Sequence, residues 1–275
     1  MEALFAHSYL ILFGKLAVGG LLALAVPPFL EMERGFYKST AVVYLFLGYT
    51  MTAGDAWLWL TYGDDGPVTL AVVAAWFVFC ALFSVYVATL FIELPILRAR
   101  AFPASVLAGF VALALTAAGY VPDNLGAAWA LPYMFALMTG AAVAGAGATG
   151  MLLGHWYLID TGLDLAPLLR MHAFCRASLI LEITLVAGSV LVMWAWPGAP
   201  FEGAFDVTLG SRYAPLLVGR IATWGLALFL LVLIARTLEI PQTMAATGLF
   251  YIQALTVAVG QIIAQWLLFR TGLPM

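Results

Sequence analysis

Residues 139–182 read TGAAVAGAGATGMLLGHWYLIDTGLDLAPLLRMHAFCRASLILE. A long run of small and apolar residues leads into GHWYLIDTG, and a second apolar run follows from PLLRMHAFCR. The pattern is that of one membrane helix, a short polar turn and the next helix. His155 and His172 flank the turn, and Arg170, Arg176 and Glu182 follow on the second helix. No other part of the chain packs ionisable residues so densely into apolar sequence. Such residues are costly inside a bilayer, so they mark function by default.

The same apolar character extends in both directions. Of 275 residues, 65% are hydrophobic and 9% are charged, against about 25% charged in a soluble domain. Apolar runs long enough to span a bilayer recur along the whole length, the signature of a helical bundle rather than a barrel. The reading is an all-α integral membrane protein, a single polytopic bundle of about eight transmembrane helices. The spans fall at about 7–30, 39–62, 68–93, 104–121, 127–158, 167–196, 213–238 and 242–269. The net charge of -3 and the lack of a basic patch argue against a nucleic-acid partner. Cys80 and Cys175 each sit inside an apolar run and read as packing residues. The N-terminus lacks a basic leader and a small-residue cleavage site, so the first helix is expected to remain. HExxH and CxxC motifs are absent, which argues against a zinc site.

Basic residues in short loops orient the bundle. Arg34, Lys38, Arg98, Arg100, Arg170 and Arg236 fall in or beside alternate connections, while Asp64, Asp65, Asp123, Glu202 and Asp206 fall in the others, with Arg212. Both termini are therefore expected outside, in a bacterial inner membrane. Trp57, Trp59 and Tyr62 at one end, and Trp156 and Tyr157 at the other, suit the headgroup level.

His155 lies about one turn before the end of the fifth span and His172 about one turn into the sixth. A short turn makes the two helices antiparallel neighbours and brings the imidazoles to one depth, where both can ligate the iron of one haem b. Glycines 140, 145, 147, 150 and 154 allow a flat macrocycle, or another helix, to lie close against the fifth span. Arg170 and Arg176 are placed to meet propionates, a phosphate or a quinone carbonyl. The plainer alternative is an interfacial histidine anchor on a tightly packed glycine helix. His7 has no second histidine near its end of the bundle. Lys15 and Asp55 are expected to pair between the first two spans, and Glu182 and Arg220 form a candidate proton path. Glu93 is read either as facing the His155–Arg176 region or as balancing Arg98 and Arg100. Gln261 and Gln265, four residues apart, share a helix face suited to an interhelical hydrogen bond.

Three function classes follow. The first is a membrane-anchoring subunit of an electron-transfer complex that passes electrons to or from quinone, through one haem b or directly. Such a chain works with other subunits and is non-catalytic or quinone-reactive by itself. The second is a proton or small-solute transporter or channel subunit lined by Lys15, Asp55, Glu182 and Arg220. The third is an intramembrane enzyme or assembly factor for a lipid-like substrate, with His155, His172 and Arg176 in acid–base roles. In architecture the chain resembles the polytopic quinone-side subunits of respiratory or photosynthetic complexes, a likeness that does not fix function.

Overall fold

The computed structural model describes residues 2–63, 68–121, 126–160, 162–196, 201–210, 213–240 and 242–275. Among them are nine α-helices and no strand. Eight are long: α1 (Glu2–Ala23), α2 (Arg34–Tyr62), α3 (Leu70–Phe91), α4 (Pro95–Ala118), α5 (Ala130–Ile159), α6 (Ala166–Ala195), α8 (Ala214–Glu239) and α9 (Thr243–Thr271). The short α7 (Glu202–Leu209) lies in the connection before α8. Seven of the long helices, all but α2, are long and apolar enough to cross a membrane. Helix α2 carries Arg34, Lys38 and Asp55, yet its 29 residues extend about 43 Å, beyond the ~30 Å hydrocarbon layer. The chain is a polytopic helical bundle of an integral membrane protein.

Its burial pattern is the reverse of a water-soluble fold. Phe46, Phe77, Leu107 and Val218 are 64–69% exposed on the outside, while Lys15, Asp55, Glu182 and Arg220 are at most 2% exposed inside. Lipid replaces water as the outer solvent, and the interior takes the groups that need partners.

Helix α5 is the hub. Its span is 78% buried, against 33% for α6 and 28% for α8. It packs along α1, α6 and α9, and less closely along α4. Helices α1–α4 form one sequential set, and α5, α6, α8 and α9 form the other. The sets meet where α1 crosses α5. There a Cβ on Gly19 would overlap the Ala141 carbonyl, and a Cβ on Gly145 would overlap the backbone of Gly19 and Gly20. Nearer the end of α5, a Cβ on Gly150 would lie 2.7 Å from the Phe250 ring and one on Gly154 2.9 Å from Thr247 Oγ1. The glycine run of α5 is therefore filled by protein, with its neighbours at backbone contact. Hydrogen bonds add to the packing: Tyr44 Oη and Thr149 Oγ1 lie 2.7 Å apart, and Thr247 Oγ1 donates to the Gly154 carbonyl at 2.9 Å.

Two helix ends differ from the sequence reading in ways that matter below. Helix α1 runs from Glu2 to Ala23, so it both starts and stops earlier than the expected 7–30. It stops because Pro27 and Pro28 lack amide hydrogens; the last amides close three-residue turns, Ala25 to Leu22 and Val26 to Ala23. Helix α4 begins at Pro95 rather than near 104 and runs through Pro103. Proline suits a first helical position, so Arg98 and Arg100 lie on the helix and not in a loop. Of the loop residues that orient the chain, Asp64, Asp65, Asp123 and Arg212 lie outside the described residues.

Candidate functional site in the bundle interior

Two clusters of ionisable side chains lie inside the bundle, both anchored on α1. The deeper one joins four helices. Lys15 Nζ on α1 donates to Gln261 Oε1 on α9 at 2.8 Å. The same amide donates through Nε2 to Glu182 Oε1 on α6 at 2.6 Å. Arg220 Nη2 on α8 donates to that oxygen at 2.7 Å, and Trp224 Nε1 donates to Glu182 Oε2 at 3.2 Å. The Arg220 guanidinium also lies 4.5 Å from the centre of the Trp224 ring. One carboxylate thus accepts three hydrogen bonds, and one amide relays from a lysine to a carboxylate. Small residues make the room: a Cβ on Gly140 would strike Gln261 and Lys15, and one on Gly260 would lie 2.7 Å from Thr223 Oγ1. The remaining space beside Glu182 and Arg220 is about 10 Å³, enough for one water at most. With Lys15, Arg220 and Glu182 all ionised the cluster carries a net positive charge, and Arg220 Nε has no hydrogen-bond partner.

The second cluster sits toward the start of α1. His7 Nε2 lies 3.5 Å from Asp55 Oδ1 on α2, with both side chains at most 1% exposed. Tyr120, just past the end of α4, places its hydroxyl 3.3 Å from His7 Nδ1. The Phe269 ring of α9 closes the other side, 6.0 Å from the His7 ring and 5.3 Å from that of Tyr120. Among the described residues, neither carboxylate oxygen of Asp55 has a hydrogen-bond partner, nor does His7 Nε2. A separation of 3.5 Å is too long for a good hydrogen bond. The site therefore holds a buried carboxylate and a buried imidazole facing each other without the contacts that normally offset their burial.

The structure separates Lys15 from Asp55, which the sequence placed together. Helix α1 starts five residues before the expected boundary, so His7 takes the depth of Asp55. Lys15 lies about 12 Å further along the axis, at 1.5 Å per residue, where it meets α9 instead. Glu182 and Arg220, by contrast, do come together.

His155 and His172 engage different helices. His155 is exposed on α5, its Nδ1 3.2 Å from the Tyr251 hydroxyl of α9. His172 is buried on α6, and its Nε2 donates to the Leu231 carbonyl of α8 at 2.9 Å. That nitrogen therefore carries the hydrogen, and the lone pair of the neutral ring is on Nδ1. Of the two arginines, Arg176 lies one turn past His172, near enough to act on its ring electrostatically, and Arg170 turns elsewhere. Arg170 lies 3.9 Å from Glu31, and Arg176 is exposed on the outside of α6. Among the described residues no group of three or more His, Cys, Asp and Glu side chains could hold a metal ion. Glu93 meets Arg34 at 2.6 Å rather than Arg98 or Arg100.

Two participants escaped the sequence reading, and Gln261, expected to make an interhelical hydrogen bond, does so with more partners than expected. Gln261 looked like a simple interhelical amide, yet it is the link between Lys15 and Glu182. Trp224 stands four residues after Arg220, a spacing that puts both on one helix face and could have shown the pair. Tyr120 lies beyond its helix, and no local pattern ties it to His7. Compared with family models, curated proteins and solved structures, the chain matches none.

Proposed function

We propose that this chain is a proton-handling transport subunit of a bacterial cytoplasmic membrane. The observation that carries this reading is the His7–Asp55 pair: two protonatable groups, fully buried and facing each other, with Tyr120 at the far ring nitrogen and, among the described residues, no hydrogen-bond partner on the carboxylate or on Nε2. Buried groups of this kind are the working parts of intramembrane proton relays. The chemistry is a relay through imidazole. Tyr120 offers a hydroxyl at Nδ1, and Asp55 stands at Nε2 to take the proton from the other side of the ring. As Nδ1 takes the Tyr120 proton, which water then restores to the phenol oxygen, Nε2 gives its proton to the carboxylate, which becomes neutral. Closing the gap needs a movement of the two side chains by a few tenths of an ångström. Lys15, Gln261 and Glu182 lie deeper along the same helix, and the ~12 Å of α1 between the clusters has to be bridged by water or by side-chain motion.

The orientation belongs to the same reading. Contacts between Arg34 and Glu93, Arg170 and Glu31, and Phe36 and Trp156 gather the basic connections at one end of the bundle. We take that end as cytoplasmic and both termini as outside. The electron-transfer reading, with haem b or quinone near His155 and His172, draws less support, because the two rings engage different helices. A Soret band lost on His172→Ala would revive it.

The test is proton entry into liposomes containing the purified chain and a pH-sensitive dye, driven by a potassium diffusion potential. Flux well above that of empty liposomes is expected. It should fall about 10²-fold or more in Asp55→Asn, the range typical of losing one positioned proton-transfer group, and by less in Tyr120→Phe. Wild-type flux in Asp55→Asn would remove the proposal.

A further inference from the structure

The cytoplasm-facing end, as oriented above, contains a cleft that the proton reading does not use. It lies between the end of α1, the start of α2, the end of α3 and the first turns of α4, and encloses about 310 Å³. Phe29, Tyr37 and Phe102 form apolar walls, and two groups bring polarity, Arg98 and Tyr86. The Arg98 guanidinium lies 4.3 Å from the centre of the Phe29 ring. It makes no ion pair among the described residues, because the acids nearby are taken: Glu93 by Arg34 and Glu31 by Arg170. Tyr86 is 4% exposed and lines the cleft. A stacked guanidinium without an ion pair among the described residues, beside a phenol in the same cleft, is a donor set suited to an anion.

A second hollow adjoins the first across Pro95. It is lined by Leu94, Ile96, Leu97 and Arg100, and it is almost wholly apolar. Ile96 is 72% exposed there. A polar recess with an apolar shelf beside it matches a molecule that has an anionic head and a hydrocarbon tail. A soluble anion would leave the shelf unused.

We propose that this cleft binds the phosphate headgroup of an anionic membrane lipid. Arg98 takes the phosphate oxygens, the Tyr86 hydroxyl donates to one more, and an acyl chain runs along Leu94, Ile96 and Leu97. The head group sits against the α1–α2 connection and so ties the start of α4 to it.

The test is native mass spectrometry and thermal unfolding of the detergent-purified chain with added phosphatidylglycerol, phosphatidylcholine or inorganic phosphate. Phosphatidylglycerol is expected to give a retained one-lipid adduct and a higher melting temperature, and phosphatidylcholine and phosphate alone neither. Arg98→Gln should weaken the adduct about tenfold or more, the loss expected of one charge-assisted contact. Ala99→Trp, which fills the cleft and keeps the charge, should do the same and covers the case in which Arg98→Gln misfolds. Arg236→Gln, on α8 beside Glu239, should leave binding unchanged. Equal protection by inorganic phosphate, equal retention of phosphatidylcholine, undiminished binding in Ala99→Trp, or equal loss in Arg236→Gln would each overturn the assignment.

Discussion

The two buried clusters on α1 are made of similar residues and are built differently. Around Glu182 the single carboxylate accepts from Arg220, Gln261 and Trp224. Around Asp55 no donor reaches either oxygen. The first is a set of buried charges whose geometry offsets their desolvation, and removing one member strands the others. The second is left short of partners by its surroundings, a local deficit that stable packing alone would not retain. The difference separates a role in holding the helices together from a role in chemistry, although both clusters looked alike as isolated charges in apolar sequence.

The sharpest way to break this contrast is Glu182→Ala. It leaves Lys15 and Arg220 buried without their anion and should cost about 3–5 kcal/mol, seen as a large fall in melting temperature or a loss of folded protein in detergent. A wild-type melting curve would show that the deeper cluster does not hold the bundle. Asp55→Asn should behave in the opposite way. It removes an unpaired buried charge, so its stability should change by no more than about 1 kcal/mol, and upward if at all, while proton flux is lost. A destabilisation as large as that of Glu182→Ala would erase the distinction between the clusters. The smallest effect is expected outside the membrane. The Arg34 guanidinium, hydrogen-bonded to Glu93, holds that carboxyl below its usual range. Arg34→Ala should return its titration toward the ordinary value, measurable by infrared difference spectroscopy. What the pair adds to stability is present above the usual carboxylate range and fades as pH falls through the lowered value of Glu93 itself. Both partners are exposed, so no measurable change in melting is expected.

Much of the bundle was legible because membrane helices announce themselves by length and apolarity, and α3, α5, α6, α8 and α9 fall close to their expected ranges. The buried face of α6 was not: Leu168, Met171, Cys175, Leu179 and Val186 are buried, but Leu169, Ile180 and Leu181 on the outside are as apolar, so no contrast marks the two faces. Helix starts were harder. Proline ended a helix after α1 but began one at Pro95, and its identity alone does not say which. Rotation was hardest. Two residues beside one short turn share a depth, but their azimuth depends on which neighbours each helix packs against. His155 therefore turns to α9 and His172 to α8. Pairings across the bundle, such as Lys15 with Gln261 and His7 with Tyr120, depend on distant helices and leave no local trace.

The contact of Gly19 with Ala141 and Gly145 brings the two helical sets together with no side chain between them. Such a joint has no soft layer to shear, so α1 and α5 cannot glide lengthwise past one another. Any relative movement of the two sets has to be a tilt about this point, as a seesaw tilts on its fulcrum. Groups near the start of α1, His7 among them, would then travel furthest, and those beside the crossing, such as Lys15, would hardly move.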